Sequence, residues 1–382
     1  MRFLGVLQSI ETPAVVVDLE RLSRNIARVQ NIGKENRLNV RPHIKTHKCV
    51  ELAQLQLDHG AHGITASKAS EALVFIDAGF PSVTVAYPVI HSNKARRLID
   101  AAGATRCDLR FIADNKATLD ALTQAVTTMG GTIGVYIKID VGLGRVGVKP
   151  DAESLTSLAR QAADSPGLEL RGLLSHAGQC YGATSHEEVR QIAESERRQL
   201  LFARDRLAQS GLQVPELSVG STPTVLASDS FEGLSEIRPG NYVFFDLTAV
   251  RLGVASLAEV AFSVVTSVVS VNENYAIIDA GSKVLSSDLG PHGTAGVQGY
   301  GQAFPIESEI DDPMVESSFL VEKLSEEHGF VRHGGASIQV GNRLRVVPNH
   351  SCPVANLANW LYILDHDQPI RRWRVAAAGR VN

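Results

Sequence analysis

Over the first two thirds of the chain, short β-branched and apolar runs alternate with longer stretches of helical spacing. The runs fall at Ala14–Leu19, Leu38–Arg41, Gly63–Ala66, Ser82–Ala86, Leu109–Ala113, Ile133–Ile139, Leu168–Ser175, Glu216–Val219 and Ile237–Phe244. Between most of them, apolar residues recur three and four positions apart, as in Leu22–Glu35, Lys68–Ala78, Lys116–Met129 and Glu187–Ser210. Such repetition predicts a parallel sheet with helices packed against it. A (β/α)8 barrel takes roughly 250 residues, which fits this span. The runs number nine, one more than a barrel holds, so one of the end runs belongs elsewhere or is no strand.

Beyond about Leu252 the pattern changes. Val264–Val271, Tyr275–Asp279, Arg343–Val347, Leu361–Leu364 and Arg372–Val375 read as strands, with no clear long helix between them. The expected fold is therefore α/β. A (β/α)8 barrel would cover residues 13–250 and a β-rich domain 251–382, with residues 1–12 adding a strand to the latter.

Composition narrows the function classes. The chain has 382 residues, 44% hydrophobic and 20% charged, which is ordinary for a globular protein of two domains. A net charge of −4 and a pI near 6.3 argue against a nucleic-acid or anionic-membrane partner. The most apolar stretch, Ala261–Val271, is about half the ~20 residues a spanning helix needs. The apolar run in Met1–Leu7 is too short for a signal peptide, and Glu11 soon follows. Cys49, Cys107, Cys180 and Cys352 lie far apart and form no CxxC pair, as expected of reduced thiols in the cytoplasm.

Candidate chemistry begins with Arg41-Pro42-His43-Ile44-Lys45-Thr46-His47-Lys48. A lysine between two histidines, just after a predicted strand, can form an imine with an aldehyde cofactor where its surroundings favour the neutral amine. Taken alone the run reads as a basic surface loop. The barrel changes that reading, because barrel sites form at the C-terminal ends of the strands. Lys45 follows the second run, Ser67 the third, and Arg145 the sixth. His176, Gln179 and Tyr181 follow Leu168–Ser175; Gly220, Ser221 and Thr222 follow Glu216–Val219.

The last of these, Gly220-Ser221-Thr222-Pro223-Thr224, looks like a phosphate cradle. Glycine admits close approach, Ser221 or Thr222 can cap the next helix, and proline suits its first position. Gly142-Leu143-Gly144-Arg145-Val146-Gly147 matches the dinucleotide fingerprint. The helix after it is expected only from Pro150-Asp151, so a tight loop presenting Arg145 is the better reading. His350-Ser351-Cys352 pairs imidazole with thiolate, which favours Zn2+ and leaves coordination positions open. A buried cysteine beside a structural histidine is the commoner meaning of that spacing.

These motifs, in this order, resemble the D-threonine aldolase/D-serine dehydratase family of pyridoxal-phosphate enzymes with the alanine-racemase-type barrel. The likeness runs nearly end to end. It includes Thr12–Leu19, Glu236–Tyr242, Asp279–Lys283, Leu324–Gly329 and Pro348–Leu357. It implies that Lys45 carries pyridoxal 5'-phosphate, with Arg145 and Ser67 near its phenolic oxygen and Tyr181 beside its ring. Gly220, Ser221 and Thr222 would hold the phosphate. His350 and Cys352 would hold a divalent metal, Zn2+ or Mn2+. The resemblance also implies a homodimer with the active site at the subunit interface.

The same likeness implies a lyase acting on β-hydroxy-D-amino acids. Retro-aldol cleavage of D-threonine to glycine and acetaldehyde is the first expectation. β-Elimination from D-serine or 3-hydroxy-D-aspartate is the second. Cysteine at 352, where many D-threonine aldolases have aspartate, resembles the dehydratases, as does His176-Ala177-Gly178 with Tyr181. Lys45, His47 and His176 are the candidates for moving protons. A non-catalytic pyridoxal-phosphate carrier is a third class, disfavoured by the second domain and the metal pair.

Overall fold

The computed structural model describes residues 3–291, 297–308, 318–365 and 368–382. The chain divides into two compact units. One comprises residues 28–45, 52–240 and 380–382; the other comprises 1–27, 46–51 and 241–379.

The first unit holds eight strands: β2 (Asn39–Val40), β3 (Ile64–Ala66), β4 (Ser82–Val85), β5 (Asp108–Ala113), β6 (Ile133–Lys138), β7 (Leu168–Leu174), β8 (Glu216–Val219) and β9 (Glu236–Ile237); they follow β1 (Ala14–Asp18), which lies in the other unit. They form one sheet in the order β2-β9-β8-β7-β6-β5-β4-β3, and every pairing is parallel. A further parallel bridge joins His43, just past β2, to Thr65 on β3. The sheet thus curls round and meets itself as a barrel. Parallel strands are covered on both faces, so they appear in sequence as unbroken apolar runs. All six residues of β6 are buried. Gly172 allows β7 and β8 to approach, since a Cβ there would fall 1.8 Å from the Glu216 carbonyl oxygen.

The barrel interior also carries charge. Arg41 and Glu236 are both fully buried and paired at 2.7 Å. Arg41 also donates to Ser82 Oγ at 2.8 Å. Burial favours the neutral acid at Glu236, but Arg41, Ser218 and Arg238 outweigh it and hold the carboxyl below its usual range. Arg110 bonds Asp108, Glu216 and the Tyr136 hydroxyl, tying β5, β6 and β8 together.

The second unit is built on a nine-stranded sheet. Besides β1 it contains β10 (Phe262–Val271), β11 (Tyr275–Ile278), β12 (Gly301–Pro305), β13 (Phe319–Leu324), β14 (Gly329–Arg332), β15 (Arg343–Pro348), β16 (Trp360–Leu364) and β17 (Arg371–Arg374), in the order β11-β14-β13-β12-β15-β10-β1-β16-β17. Among the described residues only β1–β16 is a parallel pair in this sheet. This resolves the surplus strand: Ala14–Leu19 supplies β1 to this sheet, not to the barrel. The compact unit accordingly takes in residues 13–27 as well as 1–12, and begins again at 241 rather than 251.

Two further expectations change. Residues 4–9 are helical rather than a strand, with Leu7 buried against Ala14, Val16 and Val265. Arg343 donates to the Leu7 and Ile10 carbonyls at 2.8 and 2.6 Å, satisfying the exposed end of that helix. The expected strand Ile237–Phe244 stops at Ile237, because Pro239 has no N–H to offer a ladder and Asn241–Val243 turns as a 3-10 helix. Among the described residues, no helix is long and apolar enough to cross a membrane.

The buried Arg41–Glu236 pair yields a stability prediction. Glu236→Gln leaves a buried guanidinium without its counter-charge, which costs about 3–5 kcal/mol. Urea unfolding should show that loss; a change under about 1 kcal/mol would mean the pair does not hold the barrel.

Candidate active site

The expected barrel residues sit at one end of the strands. Lys45 is half-buried on the 3-10 turn Ile44–Thr46 just after β2. Ser67 follows β3, Arg145 the end of β6, His176 the end of β7, and Gly220 the end of β8. Tyr181 lies on the turn Gly178–Gly182, half-buried. These are the C-terminal strand ends, where barrel chemistry is built.

Charge draws several of them together. The pKa of His176 lies well below the ordinary imidazole value, first through burial and then through the charges of Lys45, Lys138 and Arg145. Lys138, the last residue of β6, is also pushed well down. Burial is the main cause; Arg238 and Arg145 add to it, with Glu196 and Asp140 opposing. Arg238 is buried and donates to Ser218 Oγ and the Ser175 carbonyl. Sequence reasoning assigned no role to Lys138 or Arg238. Lys138 ends an apolar run and reads there as an ordinary strand lysine. Arg238 sits within Glu236–Tyr242, which carried the resemblance but no chemistry.

The glycine-rich loops behave as two different devices. Asp140 accepts the N–H groups of Gly142 and Gly144 at 3.1 and 3.0 Å, and Asp114 accepts that of Gly147 at 2.9 Å. The helix after them starts only at Glu153, so this is a closed loop carrying Arg145 and not a dinucleotide fingerprint. At Gly220 φ is +114°, and a Cβ would meet Val225 Cγ2 at 2.8 Å. Ser221 and Thr224 form a capping box over the helix Thr222–Ala227, with Pro223 in its first turn. Thr222 Oγ1 accepts the Gly240 N–H at 3.2 Å.

His176 Nδ1 lies 3.3 Å from the Gly220 carbonyl. A carbonyl can only accept, so Nδ1 carries the proton in that contact and the neutral ring keeps its lone pair on Nε2. Ser67 is engaged locally, its N–H and Oγ donating to Glu71 Oε2 at 2.5 and 2.8 Å. His47 belongs to the other unit. It is fully buried, takes the Cys49 N–H on Nδ1 at 3.1 Å and packs edge-on to Phe244.

His350 and Cys352 lie in the second unit, at the start of the helix Ser351–Leu357. His350 Nδ1 meets Asp288 Oδ2 at 2.8 Å. Cys352 Sγ reaches Thr46 Oγ1 at 3.4 Å. Burial works against a charged ring at His350, but Cys352 and Asp288, with Asp246 behind them, push its pKa up to about 10. Sequence reasoning missed Asp288, which stands 62 positions away in chain order.

Both groups implied by the resemblance fit these residues. The barrel rim gathers Lys45, Lys138, Arg145 and Arg238 around few carboxylates, an environment suited to an anionic phosphate and phenolate. At His350 the carboxylate on Nδ1 leaves Nε2 for a metal, as in the usual carboxylate–histidine–metal arrangement. Among the described residues no three His, Cys, Asp or Glu groups form a closed metal cage. A nitrogen–sulfur pair with open positions is the pattern of a catalytic ion, not a structural one.

Comparison with known families decides the assignment. The model of the alanine racemase N-terminal domain matches residues 17–248. The chain belongs to that family. It is a pyridoxal-phosphate-dependent lyase of fold type III. A putative serine dehydratase domain matches residues 261–364. The D-threo-3-hydroxyaspartate dehydratase of Delftia sp. (strain HT23) is 35% identical over 96% of this chain and 97% of its own. The D-threonine aldolase of Arthrobacter sp. is 28% identical over 98% of this chain and 94% of its own. A solved cysteine-to-alanine mutant of a D-threo-3-hydroxyaspartate dehydratase, in the metal-free form, superposes with a TM-score of 0.89 at 34% identity, covering 96% of this chain and 98% of that one. A histidine-to-alanine mutant of that dehydratase gives the same TM-score and identity, covering 96% and 95%.

The His176 environment predicts a pH dependence. In the unfolded chain the ring titrates near about 6.5; folded, it titrates well below. Between those values the unfolded chain binds more protons, so stability rises with pH there and is lost on acidification. Cofactor-free protein should lose melting temperature between about pH 7 and pH 5, and His176→Gln should shrink that loss. An identical pH profile in the variant would show that His176 is not buried neutral.

Proposed function

We propose that this lyase dehydrates β-hydroxy-D-amino acids, with 3-hydroxy-D-aspartate as the favoured substrate class. The imidazole–thiol pair at His350 and Cys352 carries this reading. A dehydratase 35% identical to this chain stands behind it, and a solved cysteine-to-alanine mutant of such a dehydratase is metal-free. Retro-aldol cleavage, the first expectation from the sequence, becomes the second reading; the D-threonine aldolase relative supports it.

When bound, pyridoxal phosphate supplies an electron sink for charge at Cα, and a divalent metal supplies a Lewis acid at the β-oxygen. In this reading Lys45 anchors the cofactor and Gly220, Ser221 and Thr222 hold its phosphate. Arg145 and Ser67 would lie near its phenolic oxygen and Tyr181 near its ring. His350 Nε2 and Cys352 Sγ hold the metal, with Asp288 orienting His350. Lys45 Nζ takes the Cα proton. His176 Nε2, which keeps its lone pair, would accept the β-hydroxyl proton in the retro-aldol alternative; in dehydration it would not assist the leaving hydroxyl. His47, packed against Phe244, ranks below His176 as a proton carrier.

Dehydration breaks the Cα–H and Cβ–O bonds. The released enamine hydrolyses to a keto acid and ammonium. Retro-aldol cleavage instead takes the hydroxyl proton and breaks Cα–Cβ. Which proton leaves first decides between them. The reading extends to a cytoplasmic homodimer; none of the four cysteines forms a disulfide, in keeping with that compartment.

Two assays test this. Incubation with D-threo-3-hydroxyaspartate and Zn2+ or Mn2+ should yield oxaloacetate and ammonium, and EDTA should suppress both. Glycine and glyoxylate, or glycine from D-threonine at a greater rate, would establish the aldolase. Separately, Lys45→Ala should abolish the visible cofactor absorbance and lower turnover by about 10²-fold or more. A covalent cofactor retained in that variant would put the link on another lysine.

A further inference from the structure

A metal donor is useful only if its side chain is aimed, and the aim of His350 is set from outside the donor pair. Asp246 and Thr248 sit at the start of the short helix Leu247–Arg251, buried to 1% and 3% exposure. Asp246 Oδ2 accepts the Ser351 N–H at 2.8 Å and the Ser351 hydroxyl at 3.2 Å. Thr248 donates to the Asn349 carbonyl twice, from Oγ1 at 2.7 Å and from N at 3.2 Å. The Asn349 carbonyl belongs to the peptide plane before His350, and the Ser351 N–H to the plane after it. Two fixed planes leave φ and ψ of the intervening residue no freedom, and His350 is held extended at φ −139°, ψ 107°. The direction of its Cα–Cβ bond follows. Ser351 then opens the helix that carries Cys352, so the same turn places the thiol.

The turn is itself braced. Asn241 Nδ2 donates to Asp246 Oδ2 and to Ser351 Oγ, both at 2.8 Å. Asp246 Oδ1 accepts the Ala249 N–H at 3.2 Å. Asn349 Nδ2 reaches the Gly299 carbonyl at 2.8 Å.

We propose that Asp246 and Thr248 are the positioning residues of the metal site, fixing His350 and Cys352 through the peptide groups on either side of His350. This rests on the reading of His350 and Cys352 as the metal donors. Neither residue would be a donor in this reading; removing either would let the donors wander. Asp246 also contributes negative charge near a bound cation, whereas Thr248 contributes only geometry.

The test is metal affinity of the full-length, cofactor-loaded protein after chelator treatment. Zn2+ is titrated against a chromophoric chelator, and Co2+ is added separately to read the visible ligand-field bands. His350→Ala and Cys352→Ala should remove tight binding. Asp246→Asn should weaken Zn2+ by about 10- to 100-fold and alter the cobalt bands, with cofactor absorbance kept. Thr248→Val, isosteric and charge-neutral, should weaken binding by about tenfold. If both variants bind Zn2+ within about twofold of the parent with unchanged cobalt bands, while His350→Ala does not bind, the positioning role is overturned and the donor reading stands. A lowered melting temperature with unchanged bands and affinity counts as the same failure. If His350→Ala and Cys352→Ala bind like the parent, the donor reading falls and takes the inference with it. Should Asp246→Asn not fold, Thr248→Val decides in the same two ways.

Discussion

The pairing of β2 with β9, where Arg41 meets Glu236, is the constraint on which the lysine's position depends. β2 is only two residues long and has neighbours on both sides. Its pairing continues past the strand. Arg41 N and His43 N donate to the Ile237 and Pro239 carbonyls at 2.9 Å each, while His62 N and Thr65 N donate to the Val40 and Pro42 carbonyls at 2.8 Å each. Inside the barrel the Arg41 side chain joins β2 to β9 through Glu236 and to β4 through Ser82. Two residues of ladder cannot specify a register. A buried ion pair can, because any slip leaves a charge unpaired in the interior. Lys45 stands four residues beyond Arg41 on backbone held from both sides.

A second consequence is electrostatic. The barrel interior matches each arginine near its floor with carboxylates, as in Arg110 with Asp108 and Glu216. At the rim the balance shifts. Lys138 and Arg238 are buried beside Arg145 and His176, and the carboxylates acting on them are Glu196, Glu236 and Asp140. Glu196 is held by the Ser175 hydroxyl at 2.6 Å, and Glu236 already serves Arg41. Cations gathered out of water raise one another's cost unless an anion joins them. A doubly charged phosphate with a phenolate is an anion of the right kind, so a cofactor bound there, as proposed, would stabilise the fold that holds it.

How much of this was legible follows from which interactions are local. Buried parallel strands write themselves as apolar runs, so the alternation of the barrel was readable, and the long helix read as Glu187–Ser210 is His186–Gln209. Rim residues were readable because each follows its strand directly. Partners distant in sequence were not. Asp288, Asp246 and Glu196 are ordinary acids in their own segments, and only the fold brings them to His350, Ser351 and Ser175. Membership of β1 was ambiguous for a related reason: Ala14–Asp18 is buried throughout, which suits either sheet. β12, β13 and β14 were not readable because their apolar pattern is broken; in β13 only Val321 is fully buried, with Lys323 exposed and the others half-exposed.

The residues proposed for the two bound groups fall in different units. Residues proposed for the cofactor, from Lys45 to Thr222, belong to the barrel unit; the proposed metal donors belong to the other. One unit boundary falls between Lys45 and Thr46; Thr46 lies in the same unit as Cys352, and its hydroxyl meets Cys352 Sγ. A barrel of this family needs only a base and an electron sink to work at Cα. Loss of a β-substituent needs something more, since hydroxide is a poor leaving group until its oxygen is bound to a Lewis acid. In the proposed reading the His350–Cys352 pair would supply that addition by holding the metal. A thiolate donor favours Zn2+ over the harder ions that carboxylates prefer. If Cys352 is a donor, as proposed, a single residue bears on both the choice of metal and the fate of the β-carbon.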